Sequence, residues 1–160
     1  HSPIYGFAAD GFPVHGPYYA QGILAESAWV TRDYADVNST SGCGVAGERS
    51  CVLVDQYDVG KGTTPATTGP TTSATITSLS GNNFVTTSGY YFEDYYHDSS
   101  ITAKGGEKLD KHNGHNHDNL GYHYHMTVID NNGTLEPAFP YAIGPTFYGV
   151  LTAQGMTSCQ

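Results

Sequence analysis

Residues 110–125 read Asp-Lys-His-Asn-Gly-His-Asn-His-Asp-Asn-Leu-Gly-Tyr-His-Tyr-His, and five of the 8 histidines of the chain lie in this stretch. They include two His-x-His pairs, His115 with His117 and His123 with His125. Because side chains alternate between the faces of a β-strand, the second pair shares one face, about 7 Å apart, and the intervening tyrosines share the other. Imidazoles on one face can bind a common cation, so the stretch predicts a metal site or a polar network.

The loop between the two pairs decides whether they meet. Residues 118–121, Asp-Asn-Leu-Gly, have the composition of a turn. A loop of residues 118–122 places His117 opposite His123 and brings all four rings to one face, since opposed residues of a hairpin point the same way. A loop of 118–121 shifts the register by one residue and turns the pairs to opposite faces. The sequence is compatible with both.

The candidate metal ligands are five histidines and one carboxylate: His15, His115, His117, His123, His125 and Asp110. Imidazole ligands favour zinc or copper, and an added carboxylate from Asp110 or Asp118 allows manganese or iron. His15 either reaches the cluster or caps a turn. A free N-terminal His1 can chelate copper through its amine and its ring, but the preferred interpretation is that His1 marks a cut site or the edge of the sequence. No residue is assigned a catalytic role.

Composition indicates the fold class. The 160 residues are 38% hydrophobic and 13% charged, with 20 Gly and 13 Tyr. This predicts a mainly β fold: a single compact β-rich domain over residues 1–160, with long loops and little helix. The net charge of −9 with six basic residues excludes a nucleic-acid partner, since little could neutralise phosphates. No apolar run is long enough for a membrane span.

Four segments have recognisable local patterns. Residues 1–20 predict two extended segments joined by a turn at Asp10-Gly11. Ile23 to Val30 is the one helix-like window, and Met126 to Leu135 predicts a hairpin. Residues 62–75 contain almost only Gly, Thr, Pro, Ala and Ser, which predicts a low-complexity insert.

The cysteines and sequons indicate an oxidising compartment. Cys43 and Cys51 bracket a short loop and predict a disulfide, which leaves Cys159 without an assigned partner. Asn38 and Asn132 each begin an Asn-x-Ser/Thr sequon, so they are candidate glycosylation sites of a secreted protein. These features predict a secreted, extracellular or cell-surface location.

Four segments have longer, specific patterns. They are His-Ser-Pro-Ile-x-Gly-Phe-Ala-x-Asp-Gly-Phe-Pro-Val-x-Gly-Pro-Tyr at 1–18, Leu-Asp-x-x-Asn-Gly-His at 109–115, Gly-Tyr-His-Tyr-His at 121–125 and Phe-Pro-Tyr-x-Ile-Gly at 139–144. Together they resemble the YHYH domain family. That resemblance implies a secreted or surface-attached module, and it implies no catalytic residues, because the family has no established biochemical function.

These observations favour an extracellular structural module with a His-rich metal or polar site, able to self-associate into oligomers or filaments. One alternative is a metal-dependent oxidase or hydrolase that uses the histidines. Another is a glycan-binding module, in which the aromatic run Tyr90 to His97 stacks on sugars.

Overall fold

The computed structural model describes residues 1–51, 71–77 and 81–151. Within these ranges the chain is β-rich, as the composition predicts, with twelve short strands, one 3₁₀ helix and one α-helix of four residues. Cys159 and residues 62–70 of the predicted insert lie outside the described residues. Neither helix among the described residues has the length or apolar character needed to cross a membrane.

The strands follow one another in short segments along the chain. They are β1 (Ile4–Phe7), β2 (Pro13–His15), β3 (Tyr18–Ala20), β4 (Ile23–Leu24), β5 (Trp29–Thr31), β6 (Thr75–Thr77), β7 (Asn83–Val85), β8 (Tyr95–His97), β9 (Gly114–Asn116), β10 (Tyr122–His125), β11 (Val128–Asn131) and β12 (Thr134–Pro137). The 3₁₀ helix is Phe92–Asp94, and α1 is Ser99–Thr102. Of the aromatic run Tyr90 to His97, the last three residues form a strand, β8.

The chain forms two compact units, His1–Trp29 with His97–Gln160 and Val30–Tyr96. The first unit contains the histidines of the central stretch and the largest sheet. The prediction of one domain over residues 1–160 stays a prediction.

The largest sheet among the described residues has four strands in the order β1-β2-β10-β9. β1 and β2 form the antiparallel hairpin predicted for residues 1–20. Gly11 turns the chain there with φ 87°, a conformation that costs glycine little. β2 then pairs in parallel with β10, and β9 pairs antiparallel with the other side of β10. β10 is therefore an inner strand, with hydrogen-bonding partners on both sides.

The helix predicted over Ile23 to Val30 is wrong. Ile23 and Leu24 form β4 and pair with β3, and Trp29 begins β5. The window is short, and an isolated helix of that length is marginal in water, so strand pairing with the rest of the fold prevails.

The hairpin predicted over Met126 to Leu135 is confirmed. β11 and β12 pair antiparallel, with Asn131 opposite Thr134. Asn132 and Gly133 form the two-residue turn with φ 52° and 88°, as a type I′ turn requires. The sequon at Asn132 therefore lies on an exposed turn.

The second unit is built around a buried ion pair. The Arg49 guanidinium donates to Asp94 through Nε at 2.7 Å and through a second nitrogen, and to the carbonyls of Thr86 and Thr87 at 2.8 and 2.9 Å. The Tyr34 hydroxyl donates to the same carboxylate. The predicted disulfide between Cys43 and Cys51 is present in this unit.

The tyrosines of β10 anchor one face of that strand. Tyr124 is fully buried, donates its hydroxyl proton to Asp10 Oδ2 at 2.5 Å and accepts from the backbone of Tyr148 at 2.8 Å. Tyr122 donates to Asp110 at 3.0 Å and stacks on the Tyr148 ring. These contacts fix the rotation of β10, so its histidines point to the opposite face.

Replacing Gly114 by alanine is expected to separate β9 from β10. An added Cβ would lie 2.5 Å from both the His123 carbonyl oxygen and the Tyr122 hydroxyl, and the backbone contact cannot move aside easily. We expect the free energy of unfolding to fall by about 1–3 kcal/mol, the usual cost of overpacking. Urea denaturation checks this, with Gly6→Ala in β1 as control because that Cβ meets nothing within 4 Å. Equal effects of the two substitutions would contradict the close packing.

Candidate metal centre

The loop between the two His-x-His pairs differs from both predicted loops. Tyr122 pairs with Asn116 and His123 with His115, so the loop comprises residues 117–121. Three of its residues have positive φ, Asp118 (50°), Asn119 (58°) and Gly121 (75°), and this wide turn places His117 in the loop. Compared with the predicted loop of 118–122 the pairing is displaced by an even number of residues, so the histidines still share one side.

Six imidazoles form one histidine cluster: His1, His15, His115, His117, His123 and His125. The centroids of the contacting rings lie 4.3 to 6.3 Å apart. The His123 and His125 rings are 5.1 Å apart, and His115 lies 5.1 and 5.0 Å from them. These three side chains therefore lie close together, an outcome that the sequence left open.

One strand, the segment before β1 and one loop bring the other imidazoles to the cluster. His15 lies opposite His125 because β2 runs parallel to β10 in that register. His1, just before β1, lies 4.3 Å from the His15 ring and 5.1 Å from the His123 ring. His117 contacts His123 at 4.8 Å, and Tyr19 at 4.5 Å closes this side.

Four imidazoles form hydrogen bonds with backbone carbonyl oxygens through Nδ1. The Nδ1 atoms of His1 and His15 lie 2.8 and 2.9 Å from the Ser2 oxygen. Nδ1 of His123 lies 2.8 Å from the Gly121 oxygen, and Nδ1 of His125 lies 2.8 Å from the Gly16 oxygen. Because a carbonyl only accepts, each Nδ1 bears the proton and each Nε2 bears a lone pair. This is the arrangement that orients metal-ligating histidines.

The decisive contact joins two such lone pairs. Nε2 of His1 lies 3.2 Å from Nε2 of His123. Two neutral imidazoles of this tautomer have no proton to share between these atoms, so the contact is compatible with a shared cation. Two ligands of a tetrahedral zinc lie roughly 3.3 Å apart when the Zn–N bonds are about 2.0 Å. The observed separation fits a shared ion.

Four ligand atoms converge at this point. One nitrogen from each of His1, His117, His123 and His125 lies within 4.8 Å of the other three. His123 and His125 are fully buried, and the Nε2 atom of His125 and both nitrogens of His117 have no hydrogen-bond partner. Buried polar atoms normally have a partner, so the cluster has capacity for an ion. The geometry is compatible with metal binding.

Burial disfavours the protonated form of three imidazoles in the cluster. It lowers the pKa of His125 to about 3 and the pKa of His115 to about 4, and the neighbouring imidazoles add to both shifts. Burial also lowers the pKa of His123, against the opposing effect of its hydrogen bond to Gly121. At neutral pH these rings are unprotonated, which is the state that binds metal.

The structure places Asp110 away from the histidine cluster, contrary to its prediction as a ligand. Its carboxylate accepts from the Tyr122 hydroxyl at 3.0 Å and from the backbone nitrogens of His112 and Gly114 at 2.8 and 3.2 Å. Tyr122 points to the face of β10 opposite the histidines, because side chains alternate along the strand. Asp110 therefore closes a turn and positions that tyrosine.

His1 is a cluster member that the sequence analysis considered as a copper chelator but did not favour. Its Nδ1 hydrogen bond and its ring contacts place it among the convergent ligands. The available signal was the pattern at residues 1–18, which includes both His1 and His15. The parallel pairing of β2 with β10 brings this segment to the other histidines. No local feature of the sequence specifies this pairing.

Comparison of the chain with family models, with curated proteins and with solved structures finds no match. The resemblance to the YHYH domain family therefore stays a prediction.

The metal-free protein is expected to become more stable as the pH rises from about 4 to 6.5. The folded pKa values of His115 and His125 lie below the unfolded value of 6.5, so the unfolded chain binds more protons in this window. The stabilisation is complete above pH 6.5 and is lost as the pH falls. Each histidine contributes a slope of up to about 1.4 kcal/mol per pH unit.

Urea denaturation with a chelator at several pH values checks this slope. The His115→Gln variant should show a smaller slope than the wild type. His112→Gln, outside the histidine cluster, should keep the full slope. A free energy of unfolding independent of pH in this window would contradict neutral burial of the cluster.

Proposed function

We propose that the chain is an extracellular structural module in which one transition-metal ion, zinc or copper, links the segment before β1, β10 and the 117–121 loop through imidazole nitrogens. The observation that carries the proposal is the 3.2 Å contact between the Nε2 atoms of His1 and His123. The ligands are His1, His117, His123 and His125.

The chemistry of the ligand set supports zinc or copper. All four donors are imidazoles, which suit these ions better than magnesium or calcium, whose preferred ligands are oxygens. The ligands come from segments far apart in sequence, so one ion restrains several loops at once. A small β-rich fold with short strands benefits from such a link, because its core alone supplies modest stability.

The extracellular part of the proposal rests on the second unit. The disulfide between Cys43 and Cys51 is typical of secreted proteins and uncommon in the cytosol. The resemblance to the YHYH domain family supports the same location. The enzyme and glycan-binding alternatives stay predictions.

Metal binding is tested on chelator-treated protein. Addition of Zn²⁺ or Cu²⁺ is expected to raise the free energy of unfolding by about 2.7 kcal/mol at a free ion concentration about 100 times the dissociation constant. His123→Gln should lose most of this gain, because it removes a central ligand. His112→Gln is the matched control, since it replaces a histidine outside the cluster. Equal stability with metal and with chelator would overturn the proposal.

A second property, self-association, is favoured by β1. Among the described strands β1 forms one edge of the four-stranded sheet, and its Tyr5 and Phe7 side chains are 68% and 71% exposed. An exposed apolar edge strand can pair with a strand of another copy. We propose that copies of the chain associate through this edge.

Light scattering over a range of concentrations tests self-association. The wild type is expected to exceed the 17.1 kDa of one chain as its concentration rises. Phe7→Lys should restore the mass of one chain, because a charge at the edge opposes pairing. Val37→Lys is the control, since Val37 is equally exposed but outside the sheet. A mass of one chain at every concentration would contradict the proposal.

A further inference from the structure

One bound ion does not provide a partner for every buried nitrogen of the histidine cluster. A four-coordinate ion takes one nitrogen each from His1, His117, His123 and His125. The Nε2 atom of His115 and one nitrogen of His117 remain, and both are buried without a hydrogen-bond partner. Such atoms lose the full free energy of hydration unless something binds them.

His115 also has a ring nitrogen without a partner in the cluster. Its Nε2 atom is buried and makes no hydrogen bond. Its ring lies 4.4 Å from the ring of His117. His115 can therefore act as a metal ligand, although it is not one of the four histidines that converge on the first ion.

His117 has two available donor atoms. Both ring nitrogens of His117 are buried without a hydrogen-bond partner. A neutral imidazole has one protonated nitrogen, so its N–H group has no acceptor in either tautomer. The Asp118 Oδ2 atom lies 3.2 Å from His117 Nδ1 but outside the angles of a hydrogen bond. That separation is close to the roughly 3.3 Å expected for two ligands of one tetrahedral ion.

We infer that the histidine cluster holds a second divalent ion, bound by His115 Nε2, His117 Nδ1 and the Asp118 carboxylate, with the His117 ring bridging the two ions. This inference rests on the proposed metal-binding function. Bridging requires His117 to lose its ring proton to solvent, so the second ion binds with release of one proton.

The charges of the site are consistent with two ions. The bridging ring and Asp118 each contribute one negative charge, and the whole chain has a net charge of −9. Asp118 is 77% exposed in its side chain, so solvent can complete the coordination of the second ion. Imidazole and carboxylate together suit zinc, copper or manganese.

The test is the metal content of the full chain, loaded with Zn²⁺ or Cu²⁺ and then freed of excess ion. The wild type is expected to hold two ions per chain. His115→Gln and Asp118→Asn should each hold one. Asp118→Asn changes an exposed side chain, so it remains informative if His115→Gln does not fold. His112→Gln and Glu136→Gln are controls for a histidine and an acid outside the site, and they should hold two.

The copper form gives an independent readout. Two Cu²⁺ ions joined by one imidazole ring couple magnetically, so the electron paramagnetic resonance signal should account for less copper than the protein contains. In Asp118→Asn the signal should account for all of it.

The outcomes separate the two proposals. No bound metal in the wild type overturns the proposed function itself. A metal content of one ion per wild-type chain overturns only the proposal of a second ion. The same conclusion follows if the wild type holds two ions and neither variant holds fewer. Two uncoupled copper ions overturn the bridging role of His117.

Discussion

The alternation of side chains along β10 is the constraint on which the rest of the site depends. This strand is paired on both sides, so neither face can turn toward solvent without breaking the sheet. Its tyrosines are held by Asp10 and Asp110 on one face. The histidines are thereby fixed on the other, and a change in the tyrosine contacts would alter the direction of the proposed ligands.

The buried ion pair of Arg49 and Asp94 and the histidine cluster behave differently. In the second unit, Arg49 and Asp94 bond to each other and to neighbouring carbonyls, so the pair is complete without any ligand. In the histidine cluster four Nδ1 atoms bond to backbone carbonyls, while other nitrogens such as His125 Nε2 have no partner. A structural polar network resembles the first case. The second case is compatible with a ligand site, because a cation can satisfy converging lone pairs.

Local patterns predicted the features that depend on neighbouring residues. The turn at Asp10-Gly11 and the hairpin around Asn132-Gly133 follow from residues that adopt positive φ easily. The Cys43–Cys51 disulfide follows from a short separation. The helix expected from Ile23 to Val30 failed for the complementary reason, since its weak local preference was overridden by pairing with β3.

The sequence by itself determined the β-rich class and the sharing of one face by His123 and His125, because the two-residue period of a strand is a local property. Only the tertiary structure decided the membership of the cluster. It added His1, placed His15 beside His125 and removed Asp110. These outcomes depend on strand register and on a parallel pairing between segments about 110 residues apart, which are set by the packing of the whole sheet.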